Sequence, residues 1–251
     1  MRPMIVGFSG SESAAALRWS GEVAASTGAA LTVTSTKPMP LASTEPEDFD
    51  GLVRAQRAAV EDLLRDLGPR DVEVDVDVRD PLDALIDRAE KRDASLVVVS
   101  AEDHVDVDDV GGFAVRLLRK AQRAVAVVPR SYEPPSGGTF VVGVDGSDAN
   151  TAALALAESL AREMGASIKA VFAYDVIDDT YTHAEGWHRH SDEVRAELAN
   201  ATSVPVDLLM EAGPADMVLL DVAQREHAAI IVVGTRGRMS LGTSWVMSRW
   251  S

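Results

Sequence analysis

Val-Gly-Val-Asp-Gly-Ser at residues 142–147 repeats, with two changes, the segment Val-Gly-Phe-Ser-Gly-Ser at residues 6–11. The two segments lie 136 positions apart in a chain of 251 residues, which is about half of its length. Three further pairs of segments match in the same order and at nearly the same spacing: 28–33 with 165–170, 80–83 with 213–216, and 95–100 with 229–234. Four matches in one order predict two copies of a single structural unit.

The segment between the copies is rich in proline and glycine. Residues 132–138 read Tyr-Glu-Pro-Pro-Ser-Gly-Gly, and residues of this kind disfavour both helix and strand. We therefore expect a linker here, with a first domain at residues 1–131 and a second domain at residues 139–251.

Short apolar runs alternate with longer helical stretches in both copies, which is typical of a parallel sheet covered by helices. The runs that predict strands begin near Met4, Leu31, Val72, Leu96 and Ala124, and again near Val141, Ile168, Val204 and Ile230. Residues 71–78 alternate between polar and apolar, which predicts an edge strand, whereas residues 96–99 are apolar throughout, which predicts a central one. Right-handed crossovers then give an α/β fold with a doubly wound, Rossmann-like sheet in each copy.

Helical periodicity predicts which residues face the core. Leu17, Val23 and Ala24 share one face of the first helix. The second helix is expected to bury the stripe Leu52, Ala55, Ala59, Leu63 and Leu67, and the first helix of the second copy the stripe Leu154, Ala157, Leu160 and Met164.

The composition argues against several classes of partner. With a net charge of −16 and a pI near 4.6, the chain is acidic and repels nucleic acid and anionic lipid. Neither is therefore an expected partner. The chain has no cysteine, which removes disulfides and thiolate chemistry and fits the cytoplasm. The N-terminus runs straight into a strand-like segment, so we expect neither a signal peptide nor a membrane span.

Two segments of the second copy are expected to reach the ligand-binding edge of its sheet. In a doubly wound sheet, ligands bind beyond the carboxyl ends of the strands where the strand order reverses. Asp145 follows the first strand there, and Gly234 and Gly237 follow the strand expected beside it. Glycines at this place let backbone N–H groups approach phosphate oxygens closely.

These segments, with Val-Val-Gly-Thr-Arg-Gly-Arg at residues 232–238, resemble universal stress proteins over nearly all of both copies. The resemblance implies an adenine nucleotide alpha hydrolase-like fold and a role in stress response or regulation. ATP-binding members carry Gly, two residues, Gly, nine residues, then Gly-Ser or Gly-Thr. Gly234 and Gly237 match the first two glycines, while Met247 stands at the third and Ser248 follows it.

The same resemblance implies a role for each site residue. Asp145 would face the ribose or a metal, Ala173 and Val233 would flank the adenine, Gly234 and Gly237 would line the phosphate loop, and Ser248 would meet the phosphates. The expected ligand is ATP or another adenine nucleotide, with Mg²⁺ as its accompanying ion.

The first copy departs from this pattern. Ser9, Ser100 and Asp103 stand in place of Asp145, Gly234 and Gly237, and the loop at residues 101–109 is strongly acidic. A carboxylate within about 5 Å of a phosphate costs on the order of 3 kcal/mol at an effective dielectric constant near 20. We therefore expect at most one nucleotide per chain, in the second copy.

The residues leave three functions open. The first is a regulator that binds a nucleotide without efficient turnover, since no general base near an attacking water is identifiable. The second is a scaffold in which both sites have decayed. The third is an enzyme, because residues 8–13 faintly resemble the Ser-Gly-Gly-x-Asp-Ser loop of ATP pyrophosphatases. No catalytic residue and no metal site are expected, although His183, His188 and His190 cluster in one connection.

The second copy ends one strand earlier than the first. The apolar run at residues 124–128 has no counterpart near residue 251, so we expect the second domain to lack its last strand. An unpaired strand edge offers free N–H and C=O groups to another chain. We expect self-association through residues 124–128, with Trp245 and Trp250 as a secondary contact.

Limited proteolysis tests the linker. We expect the first cleavage by a broad-specificity protease to fall within residues 131–138, because loops lacking helix and strand are the preferred sites of nicking. Mass spectrometry of the fragments would locate the cut, and a first cut inside either predicted domain would contradict the assignment.

Overall fold

A computed structural model describes residues 2–36, 46–67, 72–101, 112–130, 132, 138–145, 148–174, 204–234 and 244–248. The chain divides into two compact units. The first comprises residues 1–134 together with 250–251, and the second comprises residues 135–249.

The first unit is built on a sheet of five parallel strands. They are β1 (Met4–Phe8), β2 (Leu31–Thr36), β3 (Val72–Asp77), β4 (Leu96–Ser100) and β5 (Ala124–Val128), in the spatial order β3-β2-β1-β4-β5. The order reverses between β1 and β4, as the predicted doubly wound fold requires. Two predictions are confirmed, since β3 lies at the edge of this order and β4, which is apolar, lies inside it.

Four helices connect these strands among the residues that the structure describes. They are α1 (Ala14–Thr27), α2 (Pro46–Leu67), α3 (Pro81–Lys91) and α4 (Phe113–Lys120). α1 packs against α2, and α3 packs against α4. Because the chain moves along the sheet in opposite directions through these two pairs, right-handed crossovers put the pairs on opposite faces.

The buried face of α2 differs from the predicted stripe. Leu52 is 38% exposed and Ala55 and Ala59 are exposed, whereas Val60 is fully buried. The face turned to the protein also includes Gln56, whose amide donates a 2.7 Å hydrogen bond to the hydroxyl of Ser35. The prediction was wrong for Leu52, Ala55 and Ala59, because the half-buried Gln56 lies on the side turned to the protein and these apolar residues lie on the other.

Within its described residues, the second unit has four parallel strands, one fewer than the first. They are β6 (Thr139–Gly143), β7 (Ser167–Tyr174), β8 (Val206–Ala212) and β9 (Ile230–Gly234), in the order β9-β6-β7-β8. A further strand, β10 (Ser244–Ser248), pairs with β9 in the antiparallel direction. The shorter parallel sheet was expected, but the antiparallel strand was not.

Two helices of the second unit lie within the described residues, α5 (Asp148–Met164) and α6 (Ala215–Arg225). The stripe predicted for α5 is confirmed, because Leu154, Ala157 and Leu160 are buried. No described helix of the chain is both long and apolar enough to cross a membrane.

Alternate residues of the edge strand β3 carry carboxylates, and each is paired with an arginine. Arg92 pairs with Glu73, Arg88 pairs with Asp75, and Arg79 reaches Asp77 at 2.6 Å. The side-chain hydrogen bond from Arg79 holds the pKa of Asp77 below its usual value. The contribution of this carboxylate to stability is therefore present at neutral pH and is lost as the pH falls through its folded-state pKa.

Removing the N-terminal cap of α3 should destabilise the first unit. The carboxylate of Asp80 accepts hydrogen bonds from the backbone N–H groups of Leu82 at 2.9 Å and Asp83 at 3.4 Å. We expect Asp80→Ala to lower the free energy of unfolding by about 1 kcal/mol in urea titrations. Asp83→Ala is the control, because that carboxylate is 65% exposed and should contribute within about 0.5 kcal/mol. Equal losses in both variants would contradict the capping role.

Candidate functional site

The first and last parallel strands of the second unit bring two predicted site residues to one edge. The register aligns Val142 of β6 with Val232 of β9, so the carboxyl ends of these strands lie side by side. Asp145 follows β6 by two residues and is exposed, and Gly234 ends β9. This edge is where the strand order of the second unit reverses.

Small side chains line the same edge. A methyl group added at Gly143 would lie 3.1 Å from Val233 and 3.2 Å from Leu219, the fifth residue of α6. Val233 and Ala173 are half-buried and pack against one apolar cluster, which includes Val141. Ala173 and Val233 thus lie on one face of the sheet, on the strands that flank β6.

The turn before α6 is tied to the end of β7. Gly213 has a φ of +140°, and its N–H donates a 2.9 Å hydrogen bond to the carbonyl of Tyr174. Helix α6 follows with Pro214 as its N-cap, and no side chain caps its first turn. The hydrogen bond therefore brings the start of α6 to the carboxyl edge of the sheet.

The structure does not bring Ser248 to this edge. The antiparallel register places Ser244 beside Gly234 and Ser248 beside Ile230, at the opposite end of β9. Four residues of strand separate the two ends by roughly 13 Å. The expected phosphate contact of Ser248 is therefore corrected, because a strand that reverses direction carries it away from the site. Gly237 lies outside the described residues.

The first unit repeats the glycine packing of the second. A methyl group at Gly7 would lie 3.0 Å from Leu85, the fifth residue of α3, and 3.3 Å from Val99. The same three residue types meet in the second unit as Gly143, Leu219 and Val233. The repeat seen in the sequence therefore extends to the contact between strand and helix.

The first unit carries hydroxyl groups where the second carries a carboxylate or small residues. Ser9 follows β1, and Thr36 and Ser100 end the two strands on either side of β1. These three residues line a cavity of about 280 Å³ at the carboxyl edge of the first sheet. This cavity was not predicted, because the first copy departs from the family pattern at these positions, although a hydroxyl residue at three neighbouring strand ends was a visible signal.

Metal-binding side chains do not cluster in the part of the chain that the structure describes. No group of three His, Cys, Asp or Glu residues there has the arrangement to hold a metal ion. His183, His188, His190 and Asp103 lie outside the described residues. His227 has a φ of +49° and precedes β9, so it lies at the edge opposite Asp145.

Comparison with known protein families identifies the family to which this repeated fold belongs. The model of the universal stress protein family matches residues 1–129 and 138–248. The chain belongs to the universal stress protein family. Because the two matched segments together span most of the sequence, both halves of this universal stress protein derive from the same domain type.

Individual relatives agree with this membership. A universal stress protein of Thermus aquaticus is 34% identical over 119 residues, which cover 44% of this chain and 86% of that protein. The crystal structure of a universal stress protein from Archaeoglobus fulgidus DSM 4304 covers 98% of both chains with a TM-score of 0.74 at 13% identity, which shows the shared fold. A universal stress protein in complex with cAMP matches 52% of this chain and 98% of its own, at 22% identity and a TM-score of 0.43, and that ligand is a property of that protein.

The packing at Gly143 predicts a sharp response to substitution. We expect Gly143→Val to lower the free energy of unfolding by about 1–3 kcal/mol, because its side chain must displace Val233 and Leu219. Gly51→Ala is the matched control, since a methyl group there meets nothing within 4 Å and replaces a glycine inside α2. That control should raise stability by about 0.5–1 kcal/mol. A Gly143→Val protein as stable as the unmodified chain in thermal unfolding would contradict the packing.

Proposed function

We propose that the chain is a stress-response regulator whose second unit binds an adenine nucleotide and does not hydrolyse it efficiently. ATP is the first candidate for this nucleotide. The observation that carries the proposal is the set of small residues at the carboxyl edge of its sheet. Ala173 and Gly234 have no side chain beyond a methyl group, so a ligand can approach the backbone closely. The first unit has Thr36 and Ser100 at the equivalent positions.

The residues present fit the base and the ribose of such a ligand. Ala173 and Val233 keep part of their apolar surface exposed while packing against the same cluster, which suits contact with a flat heterocycle. The exposed carboxylate of Asp145 is an acceptor for ribose hydroxyl groups, and it is also an oxygen ligand of the kind that Mg²⁺ prefers. A bound nucleotide would change the charge and the shape of this surface, and another protein could recognise that change.

The phosphates would extend from Gly234 toward the segment after β9. Gly237 would be the second glycine of the phosphate-binding loop. The nine-residue spacing would place the last glycine of the motif at residue 247, inside β10, whereas Ser244 already pairs with Gly234. Gly242 and Thr243 directly precede this strand, and they form the Gly-Thr pair that Met247 and Ser248 do not.

The described residues beside Asp145 and Gly234 include no histidine that could serve as a general base. Hydrolysis requires a base or positioning group beside an attacking water. His227, the histidine within the described residues, lies at the opposite edge of the sheet from Asp145 and Gly234. The bound nucleotide would therefore act as a signal rather than as a substrate.

Thermal unfolding with ATP and Mg²⁺ tests this proposal. At a ligand concentration a hundred times its dissociation constant, binding should stabilise the folded protein by about 2.7 kcal/mol. We expect Gly237→Asp to erase this shift, because a carboxylate would face the phosphates. Gly51→Asp is the matched control: it makes the same change at an open position of α2 and should keep the shift.

Other outcomes would favour the competing functions. No shift with millimolar ATP, AMP or ADP would contradict nucleotide binding and favour a scaffold with both sites decayed. Two equivalent sites in a calorimetric titration would contradict the assignment to the second unit alone. Rapid release of pyrophosphate with an acid substrate would favour the enzyme.

A further inference from the structure

The cavity of the first unit lies at the edge where ligands bind doubly wound sheets, yet its walls differ from those of the second unit. Its volume of about 280 Å³ is near the lower end of the range for small organic ligands. Five of the lining residues are apolar, namely Phe8, Pro81, Leu85, Val99 and Phe113. These residues suit contact with a ring or an aliphatic group.

The polar part of the cavity lining includes several hydroxyl groups. The N–H of Ser9 donates to the hydroxyl of Ser13 at 2.9 Å, and the two hydroxyl groups lie 3.2 Å apart, so this pair is already satisfied. The hydroxyl of Ser100 is different, because it is buried and has no hydrogen-bond partner among the residues that the structure describes. A buried hydroxyl without a partner is unfavourable, and a ligand atom that pairs with it removes the penalty.

The charged lining residues neutralise each other. Glu12 and Arg130 form an ion pair at 2.8 Å on the wall of the cavity. A ligand without net charge leaves this pair intact. A phosphate or carboxylate would meet Glu12 as well as Arg130, so it would gain little net attraction unless it broke their ion pair.

We propose that this cavity is a second ligand site, which binds an uncharged, hydroxyl-bearing ring compound. The ring packs against Phe8, Leu85 and Val99, and a polar group on it pairs with the hydroxyl of Ser100. We infer that the site is independent of nucleotide binding in the second unit, because all of its described lining residues belong to the first. The two units thus recognise ligands of different charge.

Two matched pairs of probes test the proposal by protein-observed NMR. The neutral members are 4-hydroxybenzyl alcohol and adenosine, and their anionic partners are 4-hydroxybenzoate and AMP. At least one neutral probe should shift the amide resonances of Ser9 and Ser100 with a millimolar or tighter dissociation constant. Its anionic partner should bind there at least about tenfold more weakly. AMP that binds in the second unit would shift Gly234 instead, so the two sites are read separately.

Substitutions at Ser100 link the binding to the cavity. Ser100→Ala should weaken binding of the neutral probe about fivefold, the loss of one net hydrogen bond, and Ser100→Phe should abolish it by filling the space. Ser20→Ala is the control, since it removes a buried hydroxyl of the same unit that lines no part of the cavity and should leave the dissociation constant unchanged. No binding of either neutral probe, equal binding of the anions at Ser9 and Ser100, or full binding by a folded Ser100→Phe variant would overturn the proposal.

Discussion

Each unit depends on one close contact between a strand and a helix. The first strand has a glycine at Gly7 or Gly143, and the fifth residue of the helix above it, Leu85 or Leu219, occupies the space that a side chain would take. This contact sets how closely the helix approaches the sheet. The leucine lies four residues, or about 6 Å, beyond the first residue of its helix. The contact therefore also fixes the start of that helix at the carboxyl edge of the sheet. The position of each candidate site follows from this packing.

The same framework carries two different surfaces. In the second unit, Asp145 and Gly234 leave a carboxylate beside open backbone, which suits a polyhydroxylated and phosphorylated ligand. In the first unit, Ser9 and Ser100 replace them and turn the edge into a hydroxyl-lined cavity. Neither change touches the glycine and leucine beneath. The two copies of the domain therefore differ in the residues at the carboxyl edge, while the packing beneath is the same.

Much of the fold could be predicted from the sequence, because the strands are short apolar runs at repeated spacing. Asp145, Ala173, Val233 and Gly234 were also found together at the expected edge or on the strands that lead to it. The buried face of α2 could not be predicted, because the half-buried Gln56 is turned toward the sheet by one specific hydrogen bond to Ser35. Ser248 was misplaced because counting along a motif does not show that the chain turns back as an antiparallel strand.

The three ion pairs along β3 affect how this edge of the sheet can meet another chain. An edge strand whose alternate residues are charged is a poor template for another chain, since pairing would bury those charges. Glu73, Asp75 and Asp77 are each held by an arginine, so a pairing strand would have to break these ion pairs or bury them. The pairs therefore protect the open edge of the first sheet against unwanted strand addition.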